Sequence, residues 1–146
     1  MMSSVADVAR LQTGEPTEPV WSADLNDIKP IFADPRSVTP TTGVVFHPVL
    51  RRYLLTSFHT GPGQLGVFEG PEPWGPWKTV AYYQDWGKMG PEGHGLNCDF
   101  PQKWMSDDGS TMWCVFSVYG RGAGKGIKTH DCFNLVKVTL SLMSKQ

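Results

Sequence analysis

The sequence has almost no surplus of charge of either sign. It contains 13 basic and 14 acidic side chains, and its formal net charge is −1. Binding to nucleic acid or to an anionic membrane surface needs a concentrated positive field. The basic residues form only short clusters, such as Arg51-Arg52. We therefore expect neither nucleic acid nor a membrane among the partners.

Long apolar runs are also missing. No stretch approaches the roughly 20 apolar residues of a transmembrane helix, and the first residues lack the apolar centre of a signal peptide. The sequence therefore predicts a soluble, cytoplasmic protein by default. A secreted protein is the alternative if the natural N-terminus lies upstream.

Cysteine is scarce, with three residues and no Cys-x-x-Cys pair. An odd number at wide spacing argues against a disulfide framework or a zinc site. Cys114 lies in an apolar run and is expected to be a small buried hydrophobic residue. One disulfide between Cys98 and Cys132 remains open. Because the histidines and carboxylates show no recognised ligand spacing either, we predict no metal and no cofactor.

Turn-forming residues, in contrast, are abundant, with 16 glycines and 12 prolines. They separate short apolar runs, as is typical of an all-β protein. After a flexible leader over 1–20, a single all-β domain is predicted over 21–146. It consists of two antiparallel meanders, unit one over about 40–84 and unit two over about 97–142. The first strand of unit two is expected at residues 99–105.

The second strands of the two units are apolar at nearly every position. Residues 53–58 align with residues 113–118, which suggests an internal repeat. A strand has this composition when both faces of its sheet are covered. Repeated meanders covered on both faces are typical of β-propeller blades. We predict about two four-stranded blades per chain, and a β-sandwich is the alternative.

A proline- and tryptophan-rich turn follows the third strand, in GVFEGPEPWGPWKTV at residues 66–80. Three prolines without N–H donors prevent residues 70–76 from pairing as a strand. Trp74 and Trp77 are expected to fill the gap between this corner and the neighbouring layer of the fold.

Together with VFHPVLRRYLLT at residues 45–56 and KWMSDDG at residues 103–109, this turn resembles the five-bladed β-propeller glycosidase-like families, a grouping of arabinanase-like and sialidase-like proteins. The resemblance covers roughly residues 40–140 and implies the C-terminal blades of such a propeller. In such propellers several blades contribute catalytic residues. A chain with fewer than two blades therefore lacks most of these residues.

An incomplete propeller exposes apolar faces and open sheet edges. We therefore expect copies of the chain to self-associate. A missing fourth strand of unit two is expected to come from residues 21–32 of the same or another chain.

Candidate site residues lie near the ends of the predicted strands. Glycoside hydrolysis needs two carboxylates, and the candidates are Asp85, Glu92 and Asp99. An exposed indole can stack on a sugar ring, and the candidate ligand-binding residues are Trp86, His94, His47 and Trp104. For each residue the competing interpretation is a solvated loop or packing between layers.

The leading functional hypothesis is a non-catalytic, self-associating β-propeller fragment with carbohydrate as a candidate ligand. One alternative is a glycoside hydrolase-like enzyme whose active site is assembled across subunits. The other is a protein-binding scaffold without a small ligand.

Overall fold

The structure of the protein is a computed structural model that describes residues 21–36, 42–59, 64–86, 94–119 and 133–141. The predicted leader lies outside these residues. Within them the chain is all-β, as the turn pattern predicts, with 3₁₀ turns at Leu25–Asp27 and Gln102–Trp104. The strands are β1 Gly43–His47, β2 Arg52–Phe58, β3 Leu65–Gly70, β4 Lys78–Tyr83, β5 His94–Asp99, β6 Thr111–Tyr119 and β7 Asn134–Thr139. No described helix is long and apolar enough to cross a membrane.

The strands form two antiparallel meanders, as expected. The first sheet has the order β1-β2-β3-β4 and the second has the order β5-β6-β7. The expected strand over residues 99–105 is wrong, because β5 ends at Asp99 and a 3₁₀ turn follows. Pro101 precedes that turn with a φ of −57°. A proline has no N–H to donate to a ladder, so it ends the strand.

The two sheets approach each other at their first strands. The backbone of β5 lies against β1 and β2, and Thr42 forms a parallel bridge with Cys98. The hydroxyl of Thr56 donates a hydrogen bond of 2.7 Å to the main-chain oxygen of Cys98. This buried contact ties the middle of β2 to the end of β5.

The main core lies between the sheets. Its fully buried members are Leu54, Phe58, Leu65, Cys98, Phe100, Met112, Cys114, Phe116 and Val118. Gly95 permits this close packing, because a Cβ there would lie 2.2 Å from the Phe58 ring. Each sheet therefore buries one face against the other.

On the opposite face of the first sheet, Phe32 provides part of the cover, whereas residues 21–31 are exposed. Leu55, Phe68 and Trp77 form a second cluster of buried residues, and Phe32 packs against it. The centroids of the Phe32 and Phe68 rings lie 4.6 Å apart. Residues 21–32 contain a 3₁₀ turn and no strand, so the expectation that they complete the second sheet of the same chain is wrong.

The second strands of the two sheets differ in burial, although both are apolar in sequence. In β2, all five residues from Leu54 to Phe58 are buried. In β6, Met112, Cys114, Phe116 and Val118 are buried, whereas the residues between them are half-buried. Among the described residues, β2 is therefore buried on both faces, whereas β6 is buried on one face and half-buried on the other.

The outer face of the second sheet, which points away from the core, carries Trp113, Val115 and Ser117 of β6 together with Leu135 and Lys137 of β7. Cross-strand pairing places Leu135 opposite Val115 and Lys137 opposite Trp113. Leu135 is 45 % exposed. This outer face is a small apolar surface with one cation.

A turn of the same length comes just before β2 and just before β6, but only the first of these turns directly joins two strands, because β5 already ends at Asp99. His47 pairs with Arg52 around the turn at residues 48–51. In the second sheet, the N–H of Ser106 donates to the oxygen of Thr111 around the turn at residues 107–110. Positions in β2 and β6 can be compared by counting from these two turns.

This comparison shifts the internal repeat by one position. Tyr53 corresponds to Met112 in the structure, whereas the sequence match pairs it with Trp113. Leu55 then corresponds to Cys114. Leu55 faces the cluster under Phe32, while Cys114 faces the core between the sheets. By this count, the corresponding residues Leu55 and Cys114 lie on opposite faces relative to the shared core.

Candidate functional site

His47 connects the two hairpins and is completely buried. The N–H of Leu50 donates to its Nδ1 at 3.2 Å, so Nε2 carries the proton and donates to the main-chain oxygen of Gly109 at 3.0 Å. A Cβ at Gly109 would lie 2.6 Å from the imidazole ring. Both ring nitrogens therefore form hydrogen bonds within the fold. This agrees with the structural interpretation of His47 and not with ligand binding.

The turn that His47 contacts is organised by Asp108. Its carboxylate accepts hydrogen bonds from the hydroxyl of Ser106 at 2.6 Å and from the backbone N–H and the hydroxyl of Ser110 at 2.9 and 2.8 Å. These bonds, that of Ser106 first, lower the pKa of Asp108 from its ordinary 3.8 to about 2. The carboxylate is occupied within its own turn and acts as a structural group.

Trp86 packs against the main core. Its ring centroid lies 4.7 Å from that of Phe116 in an edge-to-face arrangement and 5.8 Å from that of Phe58. Both distances fall within the range of favourable aromatic pairs. Trp86 is half-buried and closes the core beside the exposed Asp85, which follows β4.

Trp104 lies in the 3₁₀ turn after β5 and is 38 % exposed. The ammonium group of Lys103 lies 5.4 Å from the centroid of its ring, within the range of a cation–π contact. Of the two tryptophans predicted to bind a ligand, Trp104 has the more accessible ring.

Asp99 ends β5 and its side chain is exposed. Its Oδ1 accepts a hydrogen bond of 2.8 Å from the N–H of Phe100. Asp85 follows β4 of the first sheet, so these two candidate carboxylates belong to different sheets. Glu92 lies outside the described residues. The pairing of two carboxylates that hydrolysis requires stays a prediction.

His94 begins β5, where its backbone pairs with that of Tyr119. The structure describes the backbone of His94 and not its side chain. Among the described residues, no three histidine, cysteine or acidic side chains are grouped so that they could hold a metal ion.

The structure pairs two cysteines that the sequence does not connect. Cys98 and Cys114 are both 1 % exposed, and their Sγ atoms lie 2.9 Å apart. The hydrogen bond to Cys98 and burial raise the pKa of the Cys114 thiol well above its ordinary range. Burial of Cys114 is as expected, but its partner was missed because Cys98 lies in an irregular strand whose position the sequence did not indicate.

Comparison with known proteins adds no relative. A scan against protein-family models finds no match, and searches of curated proteins and of solved structures find none either. The resemblance to the propeller glycosidases, the candidate activity and the candidate partners therefore remain predictions from the sequence.

Proposed function

We propose that the chain is a non-catalytic, self-associating unit of two stacked β-meanders, equivalent to two blades of a β-propeller. In this proposal further copies of the chain assemble on the outer face of the second sheet. The observation that carries it is the unequal burial of β2 and β6. Both strands are apolar on both faces, but in the described part of the chain both faces of β2 are buried, whereas β6 is buried on one face and half-buried on the other.

A second copy of the chain is favoured as the occupant of this outer face, because the chain itself supplies surfaces that cover apolar sheet faces. Its own second sheet covers one face of the first sheet, and Phe32 covers part of the other. A similar apolar face is half-buried at Trp113 and Val115 and exposed at Leu135. Since the net charge is only −1, repulsion between copies opposes association weakly.

The orientation of the two sheets supports stacking in the manner of propeller blades. Successive blades are related by rotation about a common axis, so each blade presents opposite faces to its two neighbours. Leu55 and its equivalent Cys114 lie on opposite faces relative to the shared core. The close approach of β5 to β1 also agrees with first strands that converge near an axis.

The edge of the second sheet is a further place for association. Among the described strands, β7 pairs with β6 alone, and a strand at the edge of a sheet is a template for pairing with another chain. A strand from another copy can complete this sheet as its fourth strand.

Light scattering coupled to size-exclusion chromatography tests the proposal. We expect the wild-type chain to elute at a multiple of its 16.2 kDa mass in a concentration-dependent manner. Leu135→Glu places a charge on the outer face of the second sheet and is expected to shift the protein to the monomer. Val80→Glu is the matched control, because Val80 is 55 % exposed in a strand of the first sheet.

A monomeric wild-type chain at every concentration refutes self-association. Equal dissociation of the two glutamate variants, with unchanged circular dichroism, refutes the assignment of the interface to the outer face. Retention of the oligomer in Leu135→Glu leads to the same conclusion.

Carbohydrate is the small ligand proposed for this unit, with Trp104 as the stacking residue. The support is the accessible indole beside Lys103, since an aromatic face suits the C–H face of a sugar. A glycan array is expected to show binding by the wild type that is lost in Trp104→Ala. An array without any signal removes carbohydrate from the proposal and leaves the assembly as a protein scaffold.

A further inference from the structure

Cys98 and Cys114 form an isolated pair of thiols inside the main core. Both side chains belong to the cluster between the sheets, and their sulfur atoms lie 2.9 Å apart. A disulfide requires about 2.05 Å between sulfurs, so closure needs a movement of less than about 1 Å. The pair stands apart from the outer face of the second sheet and does not depend on self-association.

The local backbone brings the two thiols together. The pairing of β5 with β6 shifts register between Leu96 and Asp99, and Asn97 has a φ of 51°. Cys98 therefore lies in a β-bulge, where a strand bends and its side chains are re-aimed. In this case the re-aimed side chain meets Cys114 of the neighbouring strand.

We propose that Cys98 and Cys114 are a redox site that closes to an intrachain disulfide by exchange with a small-molecule disulfide such as oxidised glutathione. The thiolate of one cysteine attacks the oxidant, and the first small thiol leaves. The second cysteine then attacks the mixed disulfide and releases the second small thiol. Two protein thiols are oxidised by two electrons, and one small disulfide is reduced to two thiols, so the step balances.

Burial governs the rate of this exchange. Exchange proceeds through the thiolate, and the hydrogen bond that the Cys114 thiol donates to Cys98, together with burial, raises the pKa of Cys114 and keeps it protonated. Both thiols are also closed to solvent. The folded chain is therefore expected to oxidise slowly, at a rate set by local opening of the bulge.

The position of the pair gives the disulfide a structural consequence. The main-chain oxygen of Cys98 accepts the hydrogen bond from Thr56, and Cys98 also forms the bridge to Thr42. A covalent bond from Cys98 to β6 would fix the bulge at the point where the two sheets meet. Oxidation is therefore expected to make the junction between the sheets harder to open.

The test uses the full chain with Cys132→Ser, which leaves Cys98 and Cys114 as the only thiols. The protein is equilibrated in buffers of increasing oxidised-to-reduced glutathione ratio, quenched with acid, denatured and alkylated with N-ethylmaleimide. Intact mass is expected to show the two adducts disappearing together, and dithiothreitol is expected to restore both. Thermal melting in the oxidised state is expected at a higher temperature than in the reduced state.

Cys98→Ser and Cys114→Ser, each made in the chain that retains Cys132, are the matched controls. Each variant is expected to keep its two remaining cysteines as free thiols in the same buffers. Two adducts on Cys132→Ser at every ratio, or glutathione mixed disulfides alone, overturn the proposal. If a serine variant does not fold, peptide mapping of the oxidised wild type decides. A cross-linked peptide that joins Cys98 to Cys114 supports the pair, and one that contains Cys132 refutes it.

Discussion

Replacement of Trp77 by alanine provides the sharpest test of how the proline-rich corner is built. Trp77 is 6 % exposed and lies edge-to-face with Phe32, with ring centroids 6.4 Å apart. Gly70 and Gly75 bring the backbone against the indole, since a Cβ at either would lie about 3 Å from it. Neighbouring groups therefore have little freedom to move into the space that the indole would leave.

The expected loss in the free energy of unfolding is about 4 kcal/mol. A buried indole removes roughly 150–250 Å² from water, which at about 25 cal/mol per Å² corresponds to ~4–6 kcal/mol. Measured replacements of buried aromatic residues by alanine lie at about 3–5 kcal/mol. Because domains of this size are stable by only about 5–15 kcal/mol, the variant is expected to be close to unfolding.

Urea unfolding followed by far-ultraviolet circular dichroism measures this loss, read from the midpoint at constant slope. Trp104→Ala is the matched control, because Trp104 is 38 % exposed, and it is expected to cost below about 1 kcal/mol. Trp77→Phe is expected to cost less than alanine, since Nε1 of Trp77 has no hydrogen-bond partner among the described residues. A loss under about 1 kcal/mol for Trp77→Ala would refute the packing argument.

Three further changes probe the contacts between the sheets. Thr56→Val removes the hydroxyl that bonds the Cys98 oxygen and is expected to cost about 1–3 kcal/mol in urea unfolding; an unchanged midpoint contradicts this. His47→Ala loses both ring hydrogen bonds at about 1 kcal/mol each and leaves a cavity, so thermal melting should fall by several degrees, and more than in Val49→Ala. Because the pKa of Asp108 is lowered in the folded state to about 2, its carboxylate stabilises the fold above its ordinary 3.8, and this contribution disappears as the pH falls toward 2. Asp108→Asn should therefore lose less stability than the wild type over that interval, and parallel curves from acid titration would exclude the effect.

The proline-rich corner shows how far local sequence can be taken. The three prolines placed the end of the third strand to within one residue, since β3 includes Gly70, which pairs with Tyr53. The start of β4 at Lys78 is as predicted. Trp74 and Trp77 look equivalent in the sequence, yet Trp77 is buried and Trp74 is half-buried. Trp77 belongs to the cluster that packs against Phe32, which lies far away along the chain, and Trp74 is not a member of that cluster.

The second meander shows where a local pattern fails. Residues 99–105 carry aromatic and apolar side chains that suggest a strand, but Pro101 ends the ladder and β5 lies before it. Glycines in and before β5 suggest a loop in the sequence, so the strand was not predicted. Gly95 is needed within the strand because a Cβ there would collide with the Phe58 ring. Such a glycine indicates close packing only after the partner is known.

The sequence by itself determined the class of the fold and most strand boundaries. It predicted antiparallel meanders with apolar second strands, separated by turns rich in glycine and proline. These features depend on φ/ψ preferences and on alternation, which are local properties. Only the tertiary structure decided which faces are covered and that Cys98 meets Cys114. Those relations join residues distant along the chain, so they depend on how the two sheets pack and on a bulge that no local pattern marks.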